Sequence, residues 1–231
     1  MESYTLLLQN KELFKIVYAL IILFICAVIV FKTDKLFRLS FHKGIQYFRN
    51  AFFFFGTGFF LRYVFGSPFF YGTFFSTYYY LIGSVFKYFL LMGGFFLLYS
   101  LLWKKIESSE THYRSSILNA KILIFHIMAI VIVVLDYIWQ THSFMFFSQI
   151  LTFAFASIIS YSNLRKKSHK HKFPKFYFIA MLLGFFAWVL NAVAELYFNW
   201  SQGVLINVYI LNLIFFLLFL YGVFRATNSN H

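Results

Sequence analysis

The sequence is poor in charge, proline and cysteine, and each shortage excludes a class of protein. Only 12% of its 231 residues are charged, whereas 61% are hydrophobic. A water-soluble domain of this size could not bury so much apolar surface, so lipid must be the solvent for much of the chain. The single cysteine, Cys26, excludes a disulfide within the chain. The only prolines are Pro68 and Pro174, and neither forms the Pro-Gln dipeptide of the sugar-transporter families.

The sequence lacks the residues that three kinds of membrane protein chemistry require. A light-driven retinal pump needs a lysine in its seventh helix, and residues 204–224 contain none. Membrane zinc hydrolases need several histidines within their spans, whereas His126 is the only one placed deep in an apolar segment. His126 and Asp136 cannot belong to one Ser-His-Asp triad, because ten helical residues separate them by roughly 15 Å. We therefore expect no enzyme activity, no metal and no cofactor.

Seven apolar segments fill most of the chain, and each is long enough to cross a bilayer of ordinary thickness. They cover, in order, residues 13–31, 47–65, 77–103, 117–138, 144–161, 176–198 and 204–224. All must be helices, because lipid offers the backbone no hydrogen-bond partners and the segments lack the strict alternation of barrel strands. The sequence predicts a single all-α domain, a bundle of seven transmembrane helices.

Lysine and arginine lie in alternate loops, which predicts the orientation. The loops after the first, third and fifth segments are basic, and Arg225 follows the seventh. The loops after the second, fourth and sixth segments contain no lysine or arginine. This pattern places the N-terminus outside and the C-terminus in the cytoplasm, and we expect the cytoplasmic (plasma) membrane of a prokaryote. The third basic loop carries the strongest cluster, formed by Arg165, Lys166, Lys167, Lys170, Lys172 and Lys175.

Two connecting segments have a composition of their own. Residues 32–48 alternate apolar and basic side chains, which favours an amphipathic connection on the cytoplasmic surface that faces anionic lipid. Residues 65–80 are a run of aromatics with glycine and proline. A belt at the level of the lipid headgroups explains them, and a lid over an outward cavity is the alternative.

Ionisable side chains within a bilayer are costly, so each one needs a reason. Four lie in predicted spans: Arg62, Lys87, Asp136 and Glu195. The predicted orientation places all four in the outer half of the membrane. Lys87 is too deep to reach water easily, so we expect it to pair with Asp136 or Glu195. Arg62 and Glu195 could instead extend to the headgroups.

Further polar residues share helix faces with these four. Gly184, Trp188, Asn191 and Glu195 follow a three-four spacing, which places them on one face of the sixth helix. The other candidates for a polar interior are His126, Gln149, Asn207 and Asn212. Two interpretations stay open at this point. The set either lines an outward-facing cavity or forms ion pairs and hydrogen bonds that only hold the helices together.

The sequence favours a sensor or receptor-like module with an outward-facing polar and aromatic pocket, signalling through a separate cytoplasmic protein partner. A small solute transporter or channel is the alternative, and a structural or accessory membrane subunit is the second. The expected partners are the bilayer, anionic headgroups on the cytoplasmic side and a cytoplasmic protein, with homo-oligomers left open. Nucleic acid is not expected, because the formal charge of +13 is explained by the loops.

Overall fold

The computed structural model describes residues 11–66, 76–106, 120–166, 173–198 and 202–228, and all of them except short connections are helical. The seven α-helices are α1 (Lys11–Ser40), α2 (Lys43–Phe60), α3 (Ser76–Ile106), α4 (Ala120–Ile138), α5 (Ser143–Lys166), α6 (Phe173–Phe198) and α7 (Gln202–Asn228). A π-helical turn, Leu61–Phe65, continues α2. Six of the helices, all except α2, are long and apolar enough to cross a membrane. The chain is therefore an integral, helical membrane protein.

The connection between α1 and α2 differs from the sequence-based expectation. The amphipathic segment predicted over residues 32–48 is not a separate element, because α1 continues to Ser40 and α2 begins at Lys43. The chain reverses at Phe41, whose φ of 50° lies in the left-handed region. Tyr47 and Phe48 are buried rather than interfacial. The basic residues thus extend two helices, and the reversal itself needs only two residues.

Six helices form a closed ring in which each contacts the next. Going round, α1 packs on α2, α2 on α3, α3 on α5, α5 on α6, α6 on α7, and α7 on α1. Helix α4 lies outside this ring, against α3 and α5. Its outward residues, among them Ile127, Ile130 and Val134, are exposed and suited to contact lipid.

Most of helix α2 is buried. Eleven of its residues are buried, including Asn50, Phe52 and Phe55. Phe52 is fully buried, whereas Phe53, its neighbour in the chain, is 52% exposed. Two helices, α1 and α3, pack against α2. Within it, Asn50 is buried, and Arg49 pairs with Asp34 of α1.

Candidate functional site

The ring of helices encloses a cavity of about 390 Å³. Side chains from α1, α2, the π-turn, α3, α5, α6 and α7 line it, together with His142 from the α4–α5 connection. We call this the cavity end of the bundle: the end at which α1, α3, α5 and α7 begin and α2, α4 and α6 finish. The opposite end carries the basic loops, and we call it the basic end. A volume of this size lies within the range of small-molecule sites.

Aromatic rings close the deep part of the cavity. Phe55, Phe215 and Phe216 line it at this level. Gly184 lies there too, and a β-carbon added to it would come within 2.7 Å of the Phe153 and Phe215 rings. Beneath them lies Phe52, whose ring centroid is 6.1 Å from that of Phe216. A packed aromatic layer therefore separates the cavity from the basic end.

Charged side chains gather nearer the mouth. Lys15, Arg62 and Lys87 are the cations, and Glu195 is the anion among the lining residues that the structure describes. Lys87 is within electrostatic range of both Arg62 and Glu195. Glu195 is 11 residues above Gly184 on α6, a helical rise of roughly 16 Å. The cavity therefore has a charged upper part and an aromatic base.

Lys87 forms an ion pair with the first of its two expected partners. Its Nζ lies 3.3 Å from Oδ2 of Asp136. The same ammonium group donates a hydrogen bond of 2.9 Å to the Thr141 carbonyl. Lys87 lines the cavity, whereas Asp136 lies behind it and does not. Lys87 is thus held by α4 and the α4–α5 connection while it faces the cavity.

The Asp136 carboxylate also caps the first turn of α5. The backbone N–H groups of Phe144 and Met145 donate to its two oxygens, at 3.0 and 3.3 Å. These amides form the positive end of the α5 dipole, which stabilises a carboxylate. Gln140, with a φ of 51°, turns the chain at this point. Asp136 is therefore well satisfied, and its contacts with Lys87 and α5 join three helices.

His142 stands at the mouth between the charged groups. Its Nε2 is 3.9 Å from Oε1 of Glu195. About half of the side chain is exposed (51%). Burial of the other half is the main cause that lowers the pKa of His142 from 6.5 to about 4, and the positive charges of Lys87 and Arg62 lower it further. The ring is therefore neutral near pH 7. It can donate or accept one hydrogen bond there, but it adds no positive charge.

The π-helical turn places Arg62 at the cavity. Its wider turn ends where the Gly66 N–H donates to the Leu61 carbonyl, five residues back, at 3.1 Å. Both Arg62 and Tyr63 line the cavity from this turn. Arg62 extends across Gly83 of α3, where an added β-carbon would lie 3.6 Å from Nη1. Single π-turns are frequent at functional sites.

Helices α6 and α7 supply the polar wall on the other side. Trp188, Asn191 and Glu195, which share one face of α6, all line the cavity. The Asn191 amide donates to the Ala187 carbonyl at 2.7 Å and contacts Oδ1 of Asn212 at 3.4 Å. Asn212, from α7, also lines the cavity. Six of the ten sequence-predicted candidates thus meet there.

The other four candidates lie elsewhere. Asp136 supports Lys87 from behind. His126 faces α3, where its Nδ1 is 2.7 Å from the Tyr88 hydroxyl. Gln149 is fully buried and donates from Nε2 to the Leu90 carbonyl at 2.9 Å. Asn207 is an exposed residue near the start of α7. His126 and Gln149 therefore link neighbouring helices outside the cavity.

Several residues that line the cavity are not among the candidates taken from the sequence. Lys15 and His142 are two of them, and His142 lies in a short connection. Tyr18, Tyr63 and Tyr209 line the cavity as well. In a chain with 17 tyrosines and 37 phenylalanines, no composition signal separates these rings from packing residues. A three-residue spacing places Lys15 and Tyr18 on one face of α1, and that was the usable signal.

The structure describes only part of the third basic loop, which lies at the basic end. Arg165 is exposed near the end of α5, and Lys166 belongs to the last turn of that helix. Lys167, Lys170 and Lys172 lie outside the described residues, as does most of the aromatic segment over residues 65–80. Elsewhere at this end, Asp34 of α1 pairs with Arg38 at 2.9 Å and with Arg49 of α2.

Within the described part of the chain, no three His, Cys, Asp or Glu side chains come together as metal ligands. A comparison of the whole chain with known protein families, curated proteins and solved structures finds no match.

Proposed function

We propose that this protein is a seven-helix membrane sensor or receptor-like module, which binds a small molecule in the cavity and signals through a separate cytoplasmic partner. The observation that carries the proposal is the cavity itself. It lies inside the ring of helices, and six of the ten polar candidates line it. Residues that only hold helices together would contact a neighbouring helix directly, as His126 and Gln149 do, and would not line an open space.

The proposed orientation places the cavity end outside the cell. It rests on the alternation of basic and uncharged loops. The proposal also includes α2 as a seventh span. Helix α2 and the π-turn together contain 23 residues, and helix of that length extends roughly 34 Å, close to the thickness of a bilayer core.

The aromatic base favours a receptor over a transporter. A transporter must open its site alternately to both sides of the membrane. Here the layer formed by Phe52, Phe216 and their neighbours lies between the cavity and the basic end. Fully buried aromatic rings are a close-packed barrier that a solute would have to displace. A bound molecule would instead act on the helices that surround it.

Thiol labelling at Gly83 tests the access of solutes to the cavity. Among the described residues, a β-carbon added at Gly83 would come within 4 Å of the Arg62 guanidinium alone, so Gly83→Cys in a Cys26→Ala background should fold. We expect the membrane-impermeant reagent 2-sulfonatoethyl methanethiosulfonate to label it in intact cells but not in inside-out vesicles. Each reaction rate is divided by the rate of the same reagent with a free thiol. After this correction, the anionic reagent should react about tenfold faster than its trimethylammonium analogue. A positive potential in the cavity that differs by about 1.4 kcal/mol between the two reagents has this effect.

Three cysteine variants serve as controls for this experiment. Ser143→Cys, at the exposed start of α5, should label from outside, and Ser168→Cys, in the third basic loop, only from inside. Ile130→Cys, on the outward face of α4, should resist both reagents. Labelling of Gly83→Cys from both sides of the membrane would favour the transporter. Labelling of Ser143→Cys from inside and of Ser168→Cys from outside would overturn the proposed orientation.

The basic end is expected to hold anionic lipid or the cytoplasmic partner. Replacing Lys166, Lys167, Lys170 and Lys172 with glutamine should weaken binding to phosphatidylserine vesicles at low salt, because each cation near such a surface contributes about 1 kcal/mol. High salt should weaken the wild-type interaction in the same way. The labelling of Ser143→Cys checks that the topology is retained. Unchanged vesicle binding with retained topology would leave these lysines as topology determinants only.

A further inference from the structure

Three consecutive helices of the ring, α1, α7 and α6, carry a group of cations at the basic end. The group consists of Lys32 and Lys35 of α1, Arg225 of α7 and Lys175 of α6. Lys35 and Lys175 are exposed, and Lys32 and Arg225 are partly buried. None of the four pairs with an acidic side chain among the described residues. These cations therefore keep their charge available for an anion from outside the protein.

The acidic residue that the structure describes at this end does not neutralise the group. Asp34 contacts Arg38 of its own helix and Arg49 of α2. It lies two positions from Lys32, which is about 200° round an α-helix. Asp34 therefore faces the α1–α2 side, whereas Lys32 faces α7.

Aromatic rings hold the two partly buried cations in place. The Lys32 Nζ lies 5.1 Å from the centroid of the Phe224 ring. The Arg225 guanidinium lies 5.2 Å from the centroid of the Phe176 ring and donates to the Tyr221 hydroxyl at 3.2 Å. Phe224 and Arg225 are consecutive residues in the last turn of α7, so both cations lie beside that turn. A ring attracts a cation without cancelling its charge, so these contacts position the two cations and leave them able to bind an anion.

An exposed apolar stripe on α7 leads to these cations. Its members follow a four-three-four spacing, which places them on one face of the helix: Ile210, Ile214, Leu217 and Tyr221. The stripe rises roughly 16 Å, about half the thickness of a bilayer core. On the flanking helices, Phe31 lies one turn from Lys35 and Ile179 one turn from Lys175, and both apolar side chains are exposed. The surface thus offers apolar contact over one leaflet and positive charge at its edge.

We infer that this surface is a binding site for one anionic phospholipid of the surrounding bilayer. The lipid phosphate lies between Lys32 and Arg225, and the acyl chains lie along the α7 stripe. Lys35 and Lys175 flank the headgroup and favour a net negative charge. Phosphatidylcholine has the same phosphate, but its quaternary ammonium group would face these cations, so it binds more weakly. The site is separate from the cavity and does not depend on what the cavity binds.

Competition between two phospholipids tests this assignment. The purified full chain in detergent is mixed with phosphatidylglycerol or phosphatidylcholine with identical acyl chains, and native mass spectrometry measures the Kd of the first bound lipid. We expect phosphatidylglycerol to bind at least about tenfold more tightly than phosphatidylcholine, because several cations act on one headgroup.

Paired substitutions locate the site. Lys32→Gln with Arg225→Gln should reduce the preference for phosphatidylglycerol to less than about threefold, since both cations beside the phosphate are lost. Arg165→Gln with Lys166→Gln removes the same charge at the end of α5, and this control should keep the preference of the wild type. A melting temperature for each variant confirms that it is folded.

A second pair keeps the test decisive if the first does not fold. Lys35 and Lys175 are exposed and make no ion pair within the described part of the chain, so Lys35→Gln with Lys175→Gln should fold. We expect this pair to weaken the preference about threefold, because flanking cations attract the headgroup without holding its phosphate. An unchanged preference in both pairs would remove the site from this face of the bundle.

Three further results would overturn the inference. Equal binding of the two phospholipids by the wild type would show that the cations only determine topology. An equal loss of preference in the Arg165 and Lys166 control would show that net charge, and not this surface, selects the lipid. Displacement of phosphatidylglycerol by an excess of its deacylated headgroup, glycerophosphoglycerol, would make the surface a site for soluble phosphate compounds. The receptor proposal is unaffected by any of these results, because the sidedness of Gly83→Cys labelling tests it separately.

Discussion

Replacing Lys87 with methionine is expected to lower the free energy of unfolding by about 3 kcal/mol, the low end of the range for breaking a buried ion pair. The change removes the ammonium group that contacts both Asp136 and the Thr141 carbonyl. The effect stays at the low end because the α5 amides still donate to the Asp136 carboxylate. The measurement is reversible unfolding of the purified protein in mixed detergent micelles.

A second substitution separates the two carboxylates near Lys87. Adding Asp136→Asn to Lys87→Met should restore about half of the loss, because no stranded charge remains. Adding Glu195→Gln should restore little, because Glu195 lies at the same end of the bundle but does not form the pair. If both second substitutions restored stability equally, Glu195 would also interact with Lys87. If Lys87→Met left the free energy of unfolding unchanged, the ion pair would not stabilise the protein.

The Lys87 and Asp136 double variant also relates stability to function. Lys87 lines the cavity, while Asp136 holds it in place from behind. A folded double variant that no longer favours anionic thiol reagents at Gly83→Cys would show that Lys87 sets the potential of the cavity. The same variant with unaltered charge selectivity would leave that role to Arg62 and Lys15.

The sequence predicts the helices well because lipid leaves the backbone few choices. Each of the seven apolar segments falls within a helix of the structure, apart from residues that lie outside the described part. Helix ends were less predictable. Helix α1 continues nine residues past the predicted end at Phe31, because a helix can extend beyond the apolar core into the polar interface. Hydropathy identifies the residues that lie in the lipid core, whereas the hydrogen-bonded helix can begin before them and end after them.

Which polar face points inward depends on how helices pack, and spacing alone does not give that. On α6, a single stripe with Trp188, Asn191 and Glu195 faces the cavity. On α4, a similar stripe with His126 and Asp136 faces α3 instead, because α4 lies outside the ring. Both stripes look alike in the sequence. Only the order of helices round the ring, which arises from side-chain packing, separates a stripe that faces the cavity from one that joins helices.

The chain contains 37 phenylalanines, so composition alone does not identify the rings that pack in the core. The run from Phe52 to Phe55 in α2 offers a matched pair. Phe52 is fully buried, with ring centroids 4.9 Å from Phe48 and 5.1 Å from Phe219. Phe53 is 52% exposed and faces away from this core. The two residues share one helix, one depth and one side-chain type.

Phe52→Ala is expected to lower the free energy of unfolding by about 2–3 kcal/mol, while Phe53→Ala changes it by less than about 0.5 kcal/mol. The expected loss is below the 3–5 kcal/mol seen for buried aromatics in water-soluble proteins, because lipid is as apolar as the core and only the packing and cavity terms remain. Unfolding in mixed micelles measures the stability of both variants. If Phe52→Ala does not fold, Phe52→Leu, which leaves a smaller cavity, replaces it in the comparison.

Because Phe52 supports the Phe216 ring at the base of the cavity, Phe52→Ala should also let thiol reagents reach Gly83→Cys from the basic end. Equal stability of the Phe52 and Phe53 variants would mean that the aromatic layer is loosely packed, and the barrier that favours a receptor over a transporter would lose its physical basis.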